Sequence, residues 1–172
     1  VFAENSDVEK GILEKSRAVI FTLKKQDFHQ LSQFAHPKKG IRFTPYAVDC
    51  PSDKDLTFLS AQIKNFAHNK KYYQWGKYDT GETIALSVKK YFNRFVFDKD
   101  FSKNKPRINV YQLPALCSVN FYANAYEVTY FSEGSSLSDG APGDDWRELK
   151  LVFEKYNNAW YLVAVIHNEW AI

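Results

Sequence analysis

Leu149-Lys150-Leu151-Val152-Phe153-Glu154-Lys155-Tyr156-Asn157-Asn158-Ala159-Trp160-Tyr161-Leu162-Val163-Ala164-Val165-Ile166-His167 decides the fold class. The stretch is rich in β-branched and aromatic residues, and it alternates on both sides of Asn157-Asn158. Asparagine tolerates positive φ, which a two-residue type I′ turn needs at both central positions. The reading is a hairpin with arms 146–156 and 159–170. A two-residue loop fixes a register: Tyr156 faces Ala159, Phe153 faces Leu162, Leu151 faces Ala164 and Leu149 faces Ile166. The last three pairs, six strand residues beyond the turn, make one apolar face. The other face then sets Glu148 opposite His167 and Glu154 opposite Tyr161. Lys150 and Glu154 share that face, so Glu148 and His167 read as a surface ion pair rather than a base oriented by a carboxylate.

Upstream, 107–113 and 117–131 alternate and are expected to be further strands. Ser132 to Asp144 is rich in Ser, Gly and Asp and reads as a long hairpin loop. Before these come helical patterns. Val8, Ile12, Leu13, Val19, Ile20, Leu23, Phe28, Leu31 and Phe34 recur at three- and four-residue steps over 7–34, with a break at Gln26-Asp27. His36-Pro37 ends that segment. Residues 41–48 read as an edge strand because Pro45 cannot donate to a ladder. A short helix is expected over 56–67, a strand over 71–76, a turn at 79–81 and an amphipathic helix over 83–95. Helices first and a long-stranded antiparallel sheet last give an α+β domain, with helices packed on one sheet face.

The chain has 172 residues, 45% hydrophobic and 17% aromatic, enough for one well-filled core spanning 7–172. Val1-Phe2-Ala3 fits the tail of a signal-peptide cleavage site, so residues 1–6 are expected to be a remnant of one or a disordered start. No apolar run reaches transmembrane length. The net charge of +3 is too small to indicate nucleic acid. Charge is uneven, however. Residues 61–107 hold 11 Lys/Arg against 4 Asp/Glu, and 108–172 hold 3 against 8. This is either internal pairing or a basic surface for anionic partners. Cys50 and Cys117 have no ligand-like spacing to a histidine. They either close a long loop in an oxidising compartment or sit reduced in the core.

Several motifs carry a family resemblance. They are His36-Pro37-Lys38-Lys39-Gly40-Ile41-Arg42-Phe43-Thr44-Pro45-Tyr46, Tyr73-Gln74-Trp75-Gly76, Arg94-Phe95-Val96-Phe97-Asp98-Lys99-Asp100-Phe101, the 151–163 stretch and Ile166-His167-Asn168-Glu169-Trp170. From about residue 27 to the end the chain resembles an uncharacterised family of exported bacterial proteins that includes many predicted lipoproteins. That resemblance implies an extracytoplasmic location: periplasm, cell envelope or outside. The element order also resembles the cystatin-like cone of the nuclear transport factor two superfamily. It implies helices packed in the curve of a strongly bent antiparallel sheet, with an apolar pocket at the open end. Related cones catalyse isomerisation or dehydration with a pocket Asp, His or Tyr.

No nucleophile elbow, phosphate loop, dinucleotide fingerprint or zinc-protease motif is present. The expected function is therefore a non-catalytic module that holds a small molecule, peptide or partner in the cone opening. Its ligand-binding candidates are Arg42, Tyr46, Tyr73, Trp75 and Arg94. Arg42 and Arg94 would meet anions, with Asp98 or Asp100 as partners for Arg94. Tyr72, Tyr73, Trp75, Trp160 and Trp170 could form an aromatic platform, or simply fill the core. The enzymatic alternative is a small lyase or isomerase that moves a proton through His36 or Tyr46. Against it, His36 can cap a helix end and Arg42 can pair with an acid. A third reading is a homodimer built on the sheet's outer face around a filled core. Asp139, Asp144 and Asp145 lack the ordered spacing of a calcium loop, so no metal is expected, and no cofactor. A cavity of several hundred cubic ångströms lined by Arg42, Tyr46 or Trp75 would favour ligand binding.

Overall fold

The computed structural model describes residues 2–51, 55–115, 117, 121–122, 124–135 and 143–170. Its first helix, α1 (Phe2–Lys25), begins upstream of the expected start and lays Ile12, Val19, Ile20 and Leu23 into the core. The expected break is at Gln26, which takes a φ of 51°. Asp27 then caps α2 (Phe28–Phe34), its carboxylate accepting from the Gln30 amide at 2.9 Å.

The chain turns through Gly40 into strand β1 (Ile41–Thr44). Gly40 has φ of 70°, and a Cβ there would lie 2.3 Å from the Phe58 carbonyl oxygen, so only glycine fits. β1 is not an edge strand. It lies between the two-residue β2 (Thr57–Phe58) and the last strand of the chain, with which it runs parallel. Pro45 follows the end of β1 and removes no donor from the ladder. The expected helix over 56–67 resolves into β2, α3 (Ser60–Lys64) and a 3₁₀ turn at Phe66–His68.

Strands β3 (Tyr72–Lys77) and β4 (Thr83–Ser87) form a separate antiparallel hairpin. The helix expected over 83–95 therefore loses its first five residues. Thr83 to Ser87 pair with β3, and Ser87 Oγ accepts from the Lys90 amide to start α4 (Val88–Phe95). α4 turns Val88, Tyr91, Phe92 and Phe95 inward.

The main sheet is completed by β5 (Arg107–Val110), β6 (Tyr126–Ser132), β7 (Arg147–Tyr156) and β8 (Ala159–Glu169), in the order β2-β1-β8-β7-β6-β5. Every pairing is antiparallel except β1 with β8. The β7–β8 turn is as expected, with Asn157 and Asn158 at φ of 46° and 63°. The register matches the expectation only near this turn. Phe153 faces Leu162, but Val152 faces Ala164, so Val163 is a bulge residue. Beyond it Leu151 faces Val165, Leu149 faces His167 and Glu148 faces Asn168. Val165 and His167 therefore turn to the helix side, and Ala164 and Ile166 to the other.

The helix side holds an aromatic core that includes Phe28, Phe43, Phe58, Phe66, Trp75, Tyr91, Phe92 and Phe95. The fold is thus α+β, with helices packed on one face of a mostly antiparallel sheet. The outer face is also covered. Strand pairing expected through 113 and from 117 stops at Val110 and resumes at Tyr126. Pro114 cannot continue a ladder, and Cys117 is bonded to Cys50 across a separation of 67 residues. From this strap Tyr111, Tyr122 and Ala125 pack over Val152, Val163, Ala164 and Ile166. The strap occupies the apolar surface that a homodimer through the outer face would use. Most of the expected 132–144 loop, including Asp139, lies outside the described residues.

Candidate functional site

A cleft of about 520 Å³ lies between residues 45–50 with 55–56, β1 and the β3–β4 hairpin. Its walls include Arg42, Thr44, Asp49, Asp55, Trp75 and Lys77. The hairpin is shaped for this position. Trp75 and Gly76 together oppose Ile84, a bulge in which Gly76 takes φ of 125°. The indole of Trp75 thus turns inward, stacks on Tyr91 with centroids 3.7 Å apart, and donates its N–H to the Leu86 carbonyl at 2.8 Å.

Arg42 is buried at the cleft wall. Its Nε donates to the Asp55 carboxylate and its Nη2 reaches the Cys50 carbonyl at 3.5 Å. The disulfide therefore anchors the segment that holds this guanidinium. With Arg42 and Lys77 set against Asp49 and Asp55, the charged lining is balanced. Two nearby hydroxyls are buried without a hydrogen-bond partner among the described residues: Thr44 Oγ1, on the cleft wall, and Tyr91 Oη, which lies outside the lining on the ring stacked against Trp75. Burial pushes the Tyr91 hydroxyl well above its ordinary pKa, and Arg42 and Asp49 are close enough to act on it. Each orphaned hydroxyl costs on the order of 1–3 kcal/mol.

A second constellation was misread in the sequence. The bulge at Val163 brings His167 and Glu169 to the inner side, where both are buried. His167 Nδ1 faces the Pro45 carbonyl at 3.1 Å, so it must carry the hydrogen. Its Nε2 lies 3.2 Å from Asp98 Oδ2. Arg147 Nε is 2.9 Å from Asp98 and 3.1 Å from Glu169. Arg94 holds Glu169 with two bonds, at 3.0 and 2.6 Å. His167 is therefore no surface partner of Glu148, whose carboxylate meets Asn168 instead. Burial raises the Asp98 carboxyl, but hydrogen bonds and charge from His167 and Arg147 outweigh it and hold the group below its usual range. Asp98, His167 and Glu169 offer three ligand atoms within 4.8 Å of one another. Arg94 and Arg147 already pair with those carboxylates, leaving Asp98 Oδ1 without a partner among the described residues, and a cation there would sit against two guanidinium groups. The arrangement is an internal ion-pair network.

The other candidates scatter. Arg42 and Trp75 share the cleft; Tyr46, Tyr73 and Arg94 do not line it. Tyr46 is buried against Phe95, and burial with the Glu169 charge raises its pKa. Tyr73 packs on Phe58 and takes a hydrogen bond from Asn69. Arg94 meets Glu169, not Asp98 or Asp100; Asp100 pairs with Lys24. His36 is buried, and its Nδ1 accepts from the Lys38 and Lys39 amides at 3.2 and 3.0 Å. It caps the turn, with Tyr156 and Tyr161 against its ring, and burial lowers its pKa. Trp160 packs on Tyr126 and Trp170 is exposed, so the five aromatics form no single platform. Asp145 accepts from the amide and hydroxyl of Ser135 and pairs with Lys99. No helix among the described residues is long and apolar enough to cross a membrane.

No protein-family model matches the chain, and no curated protein matches it. Among solved structures, the chain is similar to a protein from Xanthomonas campestris described as a calcium/calmodulin dependent protein kinase II association domain. The identity is 14% and the TM-score 0.34, over 94% of this chain and 85% of that one. That likeness is too distant to bear on function.

Proposed function

We propose that the protein is an extracytoplasmic, non-catalytic binding module that takes a small polar ligand in the Arg42–Trp75 cleft. The observation that carries this reading is a cleft of about 520 Å³ with Arg42, Trp75 and Thr44 on its walls, the Thr44 hydroxyl being buried without a hydrogen-bond partner among the described residues. A bound molecule that draws that hydroxyl into a hydrogen bond removes a standing desolvation cost. The balanced charge of the lining favours an uncharged polar or zwitterionic ligand over a strong anion, because Arg42 already faces Asp55. The Cys50–Cys117 disulfide supports an oxidising, extracytoplasmic setting. A thermal-shift screen of sugars, amino acids and other polar metabolites tests the reading. Thr83 lies on the cleft wall and is exposed, so Thr83→Trp fills the cleft without touching the core. A ligand that stabilises the parent protein and not this variant supports the reading. A screen in which every hit acts equally on both places the ligand elsewhere.

A further inference from the structure

The uneven charge is not absorbed by internal pairing. Residues 56–78 and 83–97 contain no Asp or Glu, yet carry Lys64, Lys70, Lys71, Lys77, Lys89, Lys90 and Arg94. Of these, only Arg94 forms an ion pair among the described residues. Lys64, Lys70, Lys71, Lys89 and Lys90 are all exposed, as is His68. The fold brings Lys70, Lys71 and Lys90 together with His68. Tyr72 faces Ser87, the cap of α4, and its hydroxyl accepts from Lys90 Nζ at 3.1 Å. The 66–68 turn lies against α4 through Phe66 and Phe92. Lys70 and Lys71 border a shallow depression with His68, Asn69 and Tyr73. Tyr72 itself is 62% exposed, next to Lys71 in the chain and bonded to Lys90.

We infer that this face docks the protein on an anionic phospholipid surface. Several unpaired lysines around a protruding tyrosine match the chemistry of a headgroup layer: cations meet phosphates, and an amphipathic ring sits at the interface. A nucleic-acid or acidic-polymer partner shares the charge requirement but gives no use to the exposed phenol at the centre. Each lysine near such a surface contributes about fivefold in partitioning, so losing three weakens binding roughly 100-fold.

The test is co-sedimentation of the full chain with phosphatidylcholine vesicles, with and without about 30% phosphatidylglycerol, enough anionic lipid to attract a basic face. The expected result is binding that requires phosphatidylglycerol and is lost in high salt. The triple variant Lys70→Glu, Lys71→Glu, Lys90→Glu should abolish it, and Tyr72→Ala should weaken it a few-fold. Reversing Lys38, whose ammonium lies over Tyr156, and Lys155, next to the β7–β8 turn, should leave it unchanged. If the triple variant does not fold, the corresponding Gln variant serves, with folding checked by circular dichroism. Absence of binding to anionic vesicles overturns the inference. So does equal loss on reversing Lys38 and Lys155. Binding to heparin or polyglutamate without binding to vesicles also overturns it and points to a polymer partner.

Discussion

Arg42 and Arg94 begin with the same chemistry and end in different situations. Each is a guanidinium held by a carboxylate, Asp55 for one and Glu169 for the other. Around Arg94 the ion pairs continue through Arg147 and Asp98 to His167. In that network Asp98 Oδ1 is buried without a partner among the described residues. Arg42 instead lines a cleft, beside the Thr44 hydroxyl, which no described residue satisfies. The Arg94 network specifies how α4, β7 and β8 meet. The Arg42 pair borders open space, where a polar group is left for something else to complete.

The largest expected effect comes from releasing the Arg42 side. Replacing Cys50 and Cys117 by Ser frees a loop of about 67 residues and should cost about 4 kcal/mol, read as a shift of the urea midpoint. Ligand binding should fall with it, because the Cys50 carbonyl and the cleft wall lose their anchor. Next is the Arg94 side. Glu169→Ala leaves Arg94 and Arg147 without their shared carboxylate and should cost about 3 kcal/mol. Glu169 does not line the cleft, and the network meets it through the Pro45 carbonyl on His167, so ligand affinity should change little once the variant is folded. A strong loss of affinity without loss of stability would show that the two regions are coupled.

A smaller effect concerns pH. The Asp98 carboxyl titrates below its ordinary range. Its folded pKa is depressed, so its contribution is present above the unfolded value, near 3.9, and is lost as pH falls through the folded one. Asp98→Asn should flatten the decline in stability below about pH 4. An unchanged acid limb would mean that Asp98 gains nothing from His167 and Arg147. At the alkaline end, burial pushes Tyr122 up to about 12. Stability should fall as pH rises from about 10, the unfolded value, toward that point. Tyr122→Phe should remove this component. Smallest of all is Thr83→Trp, an exposed substitution expected to move stability by less than about 0.5 kcal/mol while closing the cleft.

How much of this was legible in the sequence depends on period and on partners. The asparagine turn, the break at Gln26-Asp27 and the α+β class follow from local pattern, and the structure has all three. Arg42 and Trp75 were both selected, and both line the cleft. Residues 83–87 were not legible as a strand, because a five-residue apolar-polar alternation running into a helix reads as one amphipathic segment. The stop is the capping hydroxyl of Ser87. The Val163 bulge was not legible either. Every residue from Leu162 to Ile166 is apolar, so an inserted residue leaves no break in the pattern. That one residue moved His167 and Glu169 from the solvent side to the interior. The available signal was Arg94 on an otherwise apolar helix face, which needs a partner if buried, with Asp98 just after the helix. The covering role of Tyr111, Tyr122 and Ala125 was hidden because the sequence around them alternates like a strand, whereas the disulfide at Cys117 ties this stretch to Cys50.

The account rests most heavily on the Arg42–Trp75 cleft as a ligand site. Native mass spectrometry of the protein purified from its own source tests this directly, beside Thr83→Trp prepared in the same way. The parent protein is predicted to carry an additional small-molecule mass that gentle activation removes, and the variant to lack it. A parent protein that flies only as the bare chain mass, or a variant that retains the same adduct, would contradict the account.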